Sequence, residues 1–309
     1  DMDAIGSAVG VRKMVGMNKV EGYVVLDTNE LDNSVVRLMD EIKEQPELYN
    51  RFISPEEALS KITDKTLLVV VDTHKPSLVI DEKLLQKAEK VVVIDHHRRG
   101  EEFISNTMLV YMEPYASSTS ELVTELIEYQ PKNEKLSMLE ATSMLAGIIV
   151  DTKSFTLRTG ARTFEAASYL RTHGADTILV QRMLKEDIDT YIERSKIVQT
   201  VEFFREGIAI AHGMEDISYS QVLLAQTADI LLTMNNIGAS FVIGRRSEST
   251  IGISARSLGD VNVQVIMEKL NGGGHLTNAA CQLEDTTIDE AIILLKNAII
   301  DTIEGGNEE

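Results

Sequence analysis

The sequence is poor in cysteine, in basic residues and in long apolar runs. Cys281 is its only cysteine, which excludes an intrachain disulfide framework and favours a reducing compartment. No apolar run reaches the roughly 20 residues that span a membrane, and we find no signal-peptide pattern. We therefore expect a cytoplasmic location.

Basic residues are outnumbered by acidic ones. The 30 Lys and Arg residues against 49 Asp and Glu residues give a formal charge of −19. Such a surface repels nucleic acid and anionic membranes in general, so we expect no long nucleic acid as a partner. If the substrate is a phosphate ester, local metal ions and a few cationic side chains must overcome this field.

The chain of 309 residues lacks an initiator methionine. It begins inside a stretch that reads as a motif, and we expect it to be a piece of a longer protein. Any membrane anchor or sensor domain would then lie in upstream segments outside this chain.

Apolar segments alternate between strand-like and helix-like patterns, which predicts an α/β fold. We expect a first domain at residues 1–185, with a mostly parallel sheet and helices on both faces. A helical connector at 186–205 and a smaller α/β domain with a mixed sheet at 206–309 follow. The first domain is predicted to have strands at 22–26, 67–71, 91–94 and 108–111, and helices at about 4–16, 32–44, 55–62, 84–88, 117–129 and 136–150.

The later part of the chain is almost wholly helical by pattern from residue 163 to about 205. Strands are then predicted at 207–211, 239–244 and 250–255, the last two forming a hairpin. Helices are predicted at 218–232, 261–270 and about 288–303.

The most informative segment is the strand-like run Val91–Ile94, which ends in Asp95-His96-His97. Consecutive Val and Ile residues are typical of strands buried on both faces. Ligands in open α/β sheets bind at the carboxyl ends of such strands. Imidazole and carboxylate both ligate first-row divalent ions, so this sheet edge is a candidate metal site.

Three other apolar segments place carboxylates in comparable positions. Asp72 follows a strand, Asp151 ends an apolar segment, and Asp1 and Asp3 open the first helix. The candidate metal ligands are therefore Asp1, Asp3, Asp72, His96 and Asp151. Carboxylate-rich sites with imidazole suit Mn²⁺, with Mg²⁺ or Co²⁺ as substitutes.

Four carboxylates carry too much negative charge for one divalent ion, so we expect two ions with Asp72 as the bridging, catalytic carboxylate. Two ions can activate water and clamp phosphoryl oxygens for in-line displacement. His97 then contacts phosphate or acts as a general acid, the alternative being a buried supporting histidine. His74 either lines the site or shapes the turn after Asp72.

Cationic and hydroxyl side chains near these segments are candidate phosphate contacts. Arg98 directly follows the histidines, and guanidinium matches phosphate bidentately; the alternative is a solvated side chain. Ser118 caps the following helix and could also touch phosphate, with capping the favoured role.

The run Gly272-Gly273-Gly274-His275 is the clearest motif of the second domain. Consecutive glycines let backbone N–H groups approach an anion closely, although three glycines are also typical of a flexible turn. His275 adds a donor, and Arg256 at a strand end could reach the same cleft. These five residues are candidate substrate-binding residues.

The motifs of the first domain resemble those of the DHH phosphoesterase superfamily: Asp1-x-Asp3-Ala-Ile-Gly-Ser, the strand end at Asp72, Asp95-His96-His97 and Val150-Asp151. The separations also suit it, at 72 − 3 = 69, 96 − 72 = 24 and 151 − 96 = 55 residues. The resemblance implies a two-metal site, usually Mn²⁺, and assigns the five ligands above and a phosphate-facing His97. One departure matters: the family motif begins with a metal-binding histidine that would precede residue 1.

The glycine-rich segment resembles the DHHA1 domain, whose glycines and neighbouring arginine bind the nucleotide part of a substrate. The segments at 72–77, 95–99 and 112–121 resemble the GdpP/YybT group, whose members are membrane-anchored and hydrolyse cyclic di-AMP to linear pApA. This resemblance implies a metal-dependent cyclic-dinucleotide phosphodiesterase that forms a homodimer. Two alternatives stay open: a nanoRNase or pAp phosphatase that acts on short linear oligonucleotides, and a nucleotide-binding sensor that has lost catalysis.

Overall fold

A computed structural model describes residues 1–29, 31–130 and 135–305 of the chain. The chain divides into two compact units, Asp1–Lys185 and Glu186–Glu309. No helix in these described ranges is both long enough and apolar enough to cross a membrane.

The first unit is built from short parallel strands and surrounding helices. Its strands are β1 (Val24–Val25), β2 (Phe52–Ile53), β3 (Leu67–Val71), β4 (Lys90–Asp95) and β5 (Leu109–Met112). Its helices are α1 (Met2–Met17), α2 (Asn33–Lys43), α3 (Pro46–Tyr49), α4 (Pro55–Lys61), α5 (Glu82–Lys87), α6 (Thr119–Glu128), α7 (Met138–Asp151), α8 (Ala161–Thr172) and α9 (Thr177–Met183).

The strands of this unit form two parallel sheets. Strands β3, β4 and β5 pair in that order, and β1 pairs with β2. The parallel α/β architecture predicted for this part is confirmed, and the predicted strands and helices lie within a few residues of their expected bounds. α3 and β2 were not predicted because each is too short to show a hydrophobic period.

Hydroxyl and carboxyl side chains fix where several helices begin. Asp1, Ser54, Ser118 and Ser137 each accept a hydrogen bond from a backbone N–H in the first turn of α1, α4, α6 and α7, respectively. Such caps satisfy N–H groups that the helix itself leaves without acceptors. The sequence therefore sets where α1, α6 and α7 start, and these three helices carry or flank the site.

Helices α1, α6 and α7 pack closely because glycines stand where they cross. A Cβ atom on Gly6 would lie 2.6 Å from the Ser143 carbonyl oxygen, and one on Gly147 would lie 2.5 Å from Ser120 Oγ. Both distances are shorter than any normal contact. The glycines thus bring the first turn of α1 beside α6 and α7.

The second unit is a six-stranded sheet with helices. Its strands are β6 (Glu202–Arg205), β7 (Ile208–His212), β8 (Ala239–Arg245), β9 (Thr250–Ser257), β10 (Gly273–His275) and β11 (Asn278–Glu284), and its helices are α10 (Ile188–Val198), α11 (Gln221–Leu231), α12 (Val263–Glu268) and α13 (Ile288–Gly305). The sheet order is β10-β11-β9-β8-β7-β6. Only the β7–β8 pairing is parallel among these neighbours, so the predicted mixed sheet and hairpin are confirmed.

One prediction of local structure in this unit was wrong, and two strands were not predicted. The helical pattern does not continue to Arg205: α10 ends at Val198, and Glu202–Arg205 forms β6 against β7. Aromatic residues such as Phe203 and Phe204 favour strands once a neighbouring strand is present. The segment Gly273–His275 forms an edge strand because it pairs with β11. Neither of these two strands was predicted from the sequence.

Candidate metal and phosphoester site

Three carboxylates from distant parts of the first unit surround His96. Its Nε2 atom lies 3.0 Å from Asp151 Oδ2, 3.5 Å from Asp72 Oδ1 and 4.0 Å from Asp3 Oδ2. Asp3 lies in α1, Asp72 follows β3, His96 follows β4, and Asp151 ends α7. The structure therefore brings together four of the five predicted metal ligands.

Asp3 is completely buried at the start of α6. Its Oδ2 accepts a hydrogen bond from the backbone N–H of Thr119 at 2.6 Å, and its Oδ1 accepts one from Ser120 at 2.8 Å. Free N–H groups and the helix dipole stabilise an anion at that position. The start of α6 thus holds Asp3 in a fixed orientation beside His96.

Asp72 adopts an unusual backbone conformation for a residue other than glycine, with φ of +63°. Such conformations cost energy and cluster at functional sites. The backbone N–H of Asp72 donates to the Ile94 carbonyl at 3.0 Å, which continues the β3–β4 pairing. Its Oδ1 accepts from Thr119 Oγ1 at 3.0 Å, so α6 also positions this second carboxylate.

The carboxylates repel one another in the absence of cations. Burial, followed by the charges of Asp3 and Asp151, raises the pKa of Asp72 to about 9. Burial and the Asp151 charge also raise the pKa of Asp3 above its usual value. Burial acts to lower the pKa of His96, but Asp151 and Asp3 outweigh it and hold that pKa above the usual value. The site therefore favours bound positive charge.

The surroundings of the His96 side chain are those expected of a metal ligand. Its side chain is buried, yet neither Nδ1 nor Nε2 makes a hydrogen bond of acceptable geometry within the described residues. Buried polar atoms almost always have partners, so such a ring beside carboxylates is typical of a ligand. Two groups of three residues could each hold a metal ion, because the donor atoms within a group all lie within 4.8 Å of one another. One group is Asp3, His96 and Asp151, and the other is Asp72, His96 and His97. Imidazole with several carboxylates is a donor set suited to divalent first-row ions.

His97 is half exposed beside the same cluster, and Asp95 holds its ring. The Asp95 Oδ1 atom accepts from the His97 backbone N–H at 3.1 Å and lies 2.7 Å from His97 Nδ1, which is also 3.9 Å from Asp72 Oδ1. Burial alone would raise the pKa of Asp95, but the hydrogen bonds from His97 and His74 outweigh it and lower that pKa to about 2. Asp95 is therefore an anion that orients His97, a role that the sequence motif alone did not reveal.

The other predicted site residues of the first unit are two helix caps and one exposed arginine. One oxygen of Asp1 caps α1 by accepting from the Ala4 N–H at 2.9 Å, and the residue is exposed. Ser118 is buried and caps α6 by accepting from Glu121 N–H. Arg98 is exposed directly after the histidines. Asp1 and Ser118 thus have structural roles whether or not they also contact a ligand.

The predicted residues of the second unit lie across neighbouring strands. Four residues on adjacent strands are paired across the sheet. His275 on β10 pairs with Asn278 on β11, and Asn278 pairs with Arg256 on β9. Arg256 also pairs with Ser240 on β8. Opposite residues in a sheet project from the same face, so His275, Asn278 and Arg256 form one polar row. The Arg256 Nε donates to Asp229 Oδ1 on α11 at 3.2 Å.

The three glycines of this unit have different surroundings. A Cβ atom on Gly272 would lie 2.3 Å from the Ala280 carbonyl oxygen. Gly274 has φ of +148°, and its Cβ would lie 2.4 Å from the Asn278 carbonyl oxygen. Gly273 has open space on that side. Packing against β11 thus accounts for Gly272 and Gly274, and Gly273 leaves the edge strand open to a ligand.

Comparison with protein families agrees with this architecture. Residues 1–148 match the DHH family, N-terminal domain, and residues 205–304 match the DHHA1 domain. The chain therefore belongs to the DHH–DHHA1 proteins, and the resemblance drawn from its motifs is confirmed.

The chain is similar to two curated relatives in sequence and to one solved structure in fold. The chain is 62% identical over 306 residues to the cyclic-di-AMP phosphodiesterase GdpP of Geobacillus thermodenitrificans, covering 99% of this chain and 46% of that protein. It is 27% identical over 300 residues to the bifunctional oligoribonuclease and PAP phosphatase NrnA of Thermus thermophilus, covering 94% of this chain and 83% of that protein. The crystal structure of an exopolyphosphatase-related protein from Bacteroides fragilis superposes with a TM-score of 0.75 at 21% identity, over 97% of this chain and 88% of that one. The chain thus spans about half the length of the GdpP relative.

Proposed function

We propose that this chain is a metal-dependent phosphodiesterase that hydrolyses cyclic di-AMP to linear pApA. The observation that carries the proposal is the buried His96 ring, whose Nε2 lies 3.0–4.0 Å from carboxylate oxygens of Asp3, Asp72 and Asp151. The GdpP relative, at 62% identity, supports the substrate.

The metal ions are proposed to be two Mn²⁺ ions, with Mg²⁺ or Co²⁺ as substitutes. Asp3, Asp72, His96 and Asp151 would hold the ions, with Asp1 as a further proposed ligand. Divalent ions at such a site supply Lewis-acid activation of water and of the phosphoryl group. The raised pKa of Asp72, about 9, supports this assignment because bound cations would relieve the repulsion that raises it.

The protein groups then act on the substrate directly. Asp95 holds His97 through Nδ1–H. When the ring is also protonated on Nε2, that N–H would donate to a phosphoryl oxygen or pass its proton to the departing 3′ oxygen. Arg98 is exposed next to it and carries a guanidinium that matches a phosphate. Asp72 and His97 are thus the proposed catalytic residues of this unit.

The second unit is proposed to bind the nucleotide part of the substrate. Arg256 and His275 lie in one row on the sheet. The Gly272 N–H donates to the Met267 carbonyl, so the backbone N–H groups proposed to bind an anion are those on the outer edge of β10. We further propose a homodimer on the cytoplasmic side of the membrane, in a parent protein anchored by segments outside this chain.

The test is incubation of the purified chain with cyclic di-AMP and Mn²⁺, with and without a histidine added at the family's motif position upstream of Asp1. We expect pApA as the product and no turnover after chelation with EDTA. Absence of pApA from both versions, at protein concentrations that bind Mn²⁺, would contradict the proposal.

The nanoRNase or pAp phosphatase function is the second candidate, supported by the NrnA relative. Its substrates are linear, so turnover of pApA and pAp should be compared with that of cyclic di-AMP on the same protein. A higher kcat/KM for the linear substrates would favour it. Tight binding of cyclic di-AMP without turnover would instead favour the sensor.

A further inference from the structure

His74 lies next to the site but contacts none of the proposed metal ligands directly. Its side chain is buried, with 3% of the residue exposed. Its Nδ1 lies 2.5 Å from Asp95 Oδ2, and its Nε2 accepts from the backbone N–H of Gly100 at 3.2 Å. The ring therefore bridges the carboxylate that holds His97 and the backbone of the segment after Arg98.

The two contacts define which nitrogen of His74 carries a proton. The Gly100 N–H can only donate, so His74 Nε2 must be the acceptor. The proton of the neutral ring is then on Nδ1, which donates to Asp95. In this tautomer His74 Nδ1 is always the donor, and Asp95 Oδ2 is always the acceptor, of the hydrogen bond between them.

The other oxygen of Asp95 transmits this orientation to His97. Asp95 Oδ1 accepts from both the backbone N–H and Nδ1 of His97. The His97 side chain is 52% exposed, so packing alone does not fix its ring. With Nδ1 protonated and bound to Asp95, Nε2 is the nitrogen that faces away from Asp95.

We propose that His74 is a positioning residue: its hydrogen bond to Asp95 fixes the orientation and the tautomer of His97. His74 also accepts a hydrogen bond from the Ile104 N–H on its backbone carbonyl at 2.7 Å, so both ends of the segment 100–104 are attached to it. The proposal rests on the proposed function only where His97 is said to act on the substrate.

Two substitutions separate the two contacts of the ring. In His74→Asn the side-chain amide lies where Nδ1 was, so it can still donate to Asp95 but cannot reach the Gly100 N–H. In His74→Gln the amide lies near the former Nε2, so it can accept from Gly100 but leaves Asp95 without this donor. His74→Ala removes both contacts. His173→Ala is the control, because His173 directly follows α8 and its ring nitrogen Nδ1 lies 2.9 Å from the Tyr169 carbonyl oxygen.

With cyclic di-AMP and Mn²⁺, we expect His74→Gln and His74→Ala to lower kcat by about 10-fold to 100-fold, the range for residues that orient site groups. KM and Mn²⁺ affinity should change by less than about threefold, and His74→Asn should retain most of kcat. Equal losses in His74→Asn and His74→Gln would overturn the proposal, because only one of them removes the bond to Asp95.

A double-mutant cycle distinguishes positioning from general destabilisation. If His74 acts through His97, then His74→Gln should cause little further loss of kcat in a His97→Ala background. A loss of the same factor in both backgrounds would show that His74 only supports the fold.

The last measurement does not depend on activity. Ring-nitrogen NMR of the histidine-labelled, metal-free protein should show the His97 proton on Nδ1 in the native chain and in His74→Asn, and a mixed or reversed tautomer in His74→Gln. An unchanged His97 tautomer in His74→Gln would overturn the proposal. If the native chain does not hydrolyse cyclic di-AMP, the proposed function fails, and this NMR comparison still decides the role of His74.

Discussion

His96 Nε2 lies 3.0 Å from Asp151 Oδ2, although the two residues are 151 − 96 = 55 positions apart in the sequence. One residue follows the central strand of the parallel sheet and the other ends α7. This contact joins the carboxyl edge of the sheet to a helix that itself packs on α1. The site is therefore assembled by tertiary packing, which brings the end of a strand and the end of a helix together.

The first prediction concerns the removal of His96. His96→Ala should reduce the amount of Mn²⁺ bound at saturation and abolish hydrolysis, because it removes the one residue common to both donor sets. The measurement is metal titration by calorimetry, with His173→Ala as a matched histidine control in the same unit. Native-like Mn²⁺ stoichiometry and affinity in His96→Ala would contradict the assignment.

The second prediction concerns the pH dependence of the metal-free protein. An unfolded chain releases the Asp72 proton near pH 4, whereas the folded protein keeps it up to about pH 9. Between these values the folded state binds more protons than the unfolded state, so this group makes stability fall as pH rises. In EDTA, Tm should therefore fall between pH 6 and pH 9 more steeply for the native chain than for Asp72→Asn.

Saturating Mg²⁺ should reduce that slope, because bound cations stabilise the ionised carboxylate. Mg²⁺ is used in this experiment since it stays soluble at the higher pH values. Parallel pH profiles for the native chain and Asp72→Asn in EDTA would argue against a buried, protonated Asp72.

The third prediction concerns the close packing of α7 on Asp3. The added Cβ of Gly147→Ala would lie 2.5 Å from Ser120 Oγ and 2.9 Å from Asp3 Cα. Overpacking of this kind costs about 1–3 kcal/mol, and it should also weaken Mn²⁺ binding by displacing Asp3. Gly160→Ala is the control, since no atom lies within 4 Å of its added Cβ. Urea unfolding that gives both variants the same loss of stability would contradict this packing.

The fourth prediction concerns the reactivity of the single cysteine. Cys281 is buried in β11, and burial raises the pKa of its thiol to about 12. Its thiolate fraction at pH 8 is then lower than that of an unfolded cysteine by roughly a thousandfold. Labelling with a thiol reagent should be slow in the folded protein and rapid in urea. Stoichiometric labelling of the folded protein within minutes would contradict the placement of β11.

The fifth prediction separates nucleotide binding from phosphoester chemistry. Arg256→Ala should raise KM for cyclic di-AMP by about tenfold or more, the loss expected for one charged hydrogen bond. Turnover of bis(p-nitrophenyl) phosphate, a diester without a base or sugar, should stay unchanged. Arg205→Ala on β6 at the opposite edge of the same sheet is the control. Equal losses on both substrates would show that Arg256 acts through the fold.

The sequence predicted much of this site because polar residues at strand ends carry positional information. Asp72 and His96 follow apolar strands, and Asp151 ends an apolar helix, so their convergence at one edge could be expected from parallel-sheet geometry. The roles of Asp95, Thr119 and His74 could not be predicted, since hydrogen-bond partners across the fold leave no periodic pattern.

The second unit was less predictable for a related reason. Strand β10 is three residues long and rich in glycine, so it has no side-chain alternation to detect. It exists because β11 offers a pairing edge, and β6 likewise forms against β7. Both segments are therefore strands because of pairing with a neighbouring strand, a tertiary contact that their local sequence pattern does not reveal.

The most direct test of the central claim is hydrolysis of cyclic di-AMP in water enriched in ¹⁸O, with Mn²⁺ present, followed by mass spectrometry of the product. The account predicts pApA with one ¹⁸O atom in its 5′-phosphate, and no product from Asp72→Asn. Absence of pApA from the native chain, or pApA without the label in that phosphate, would contradict it.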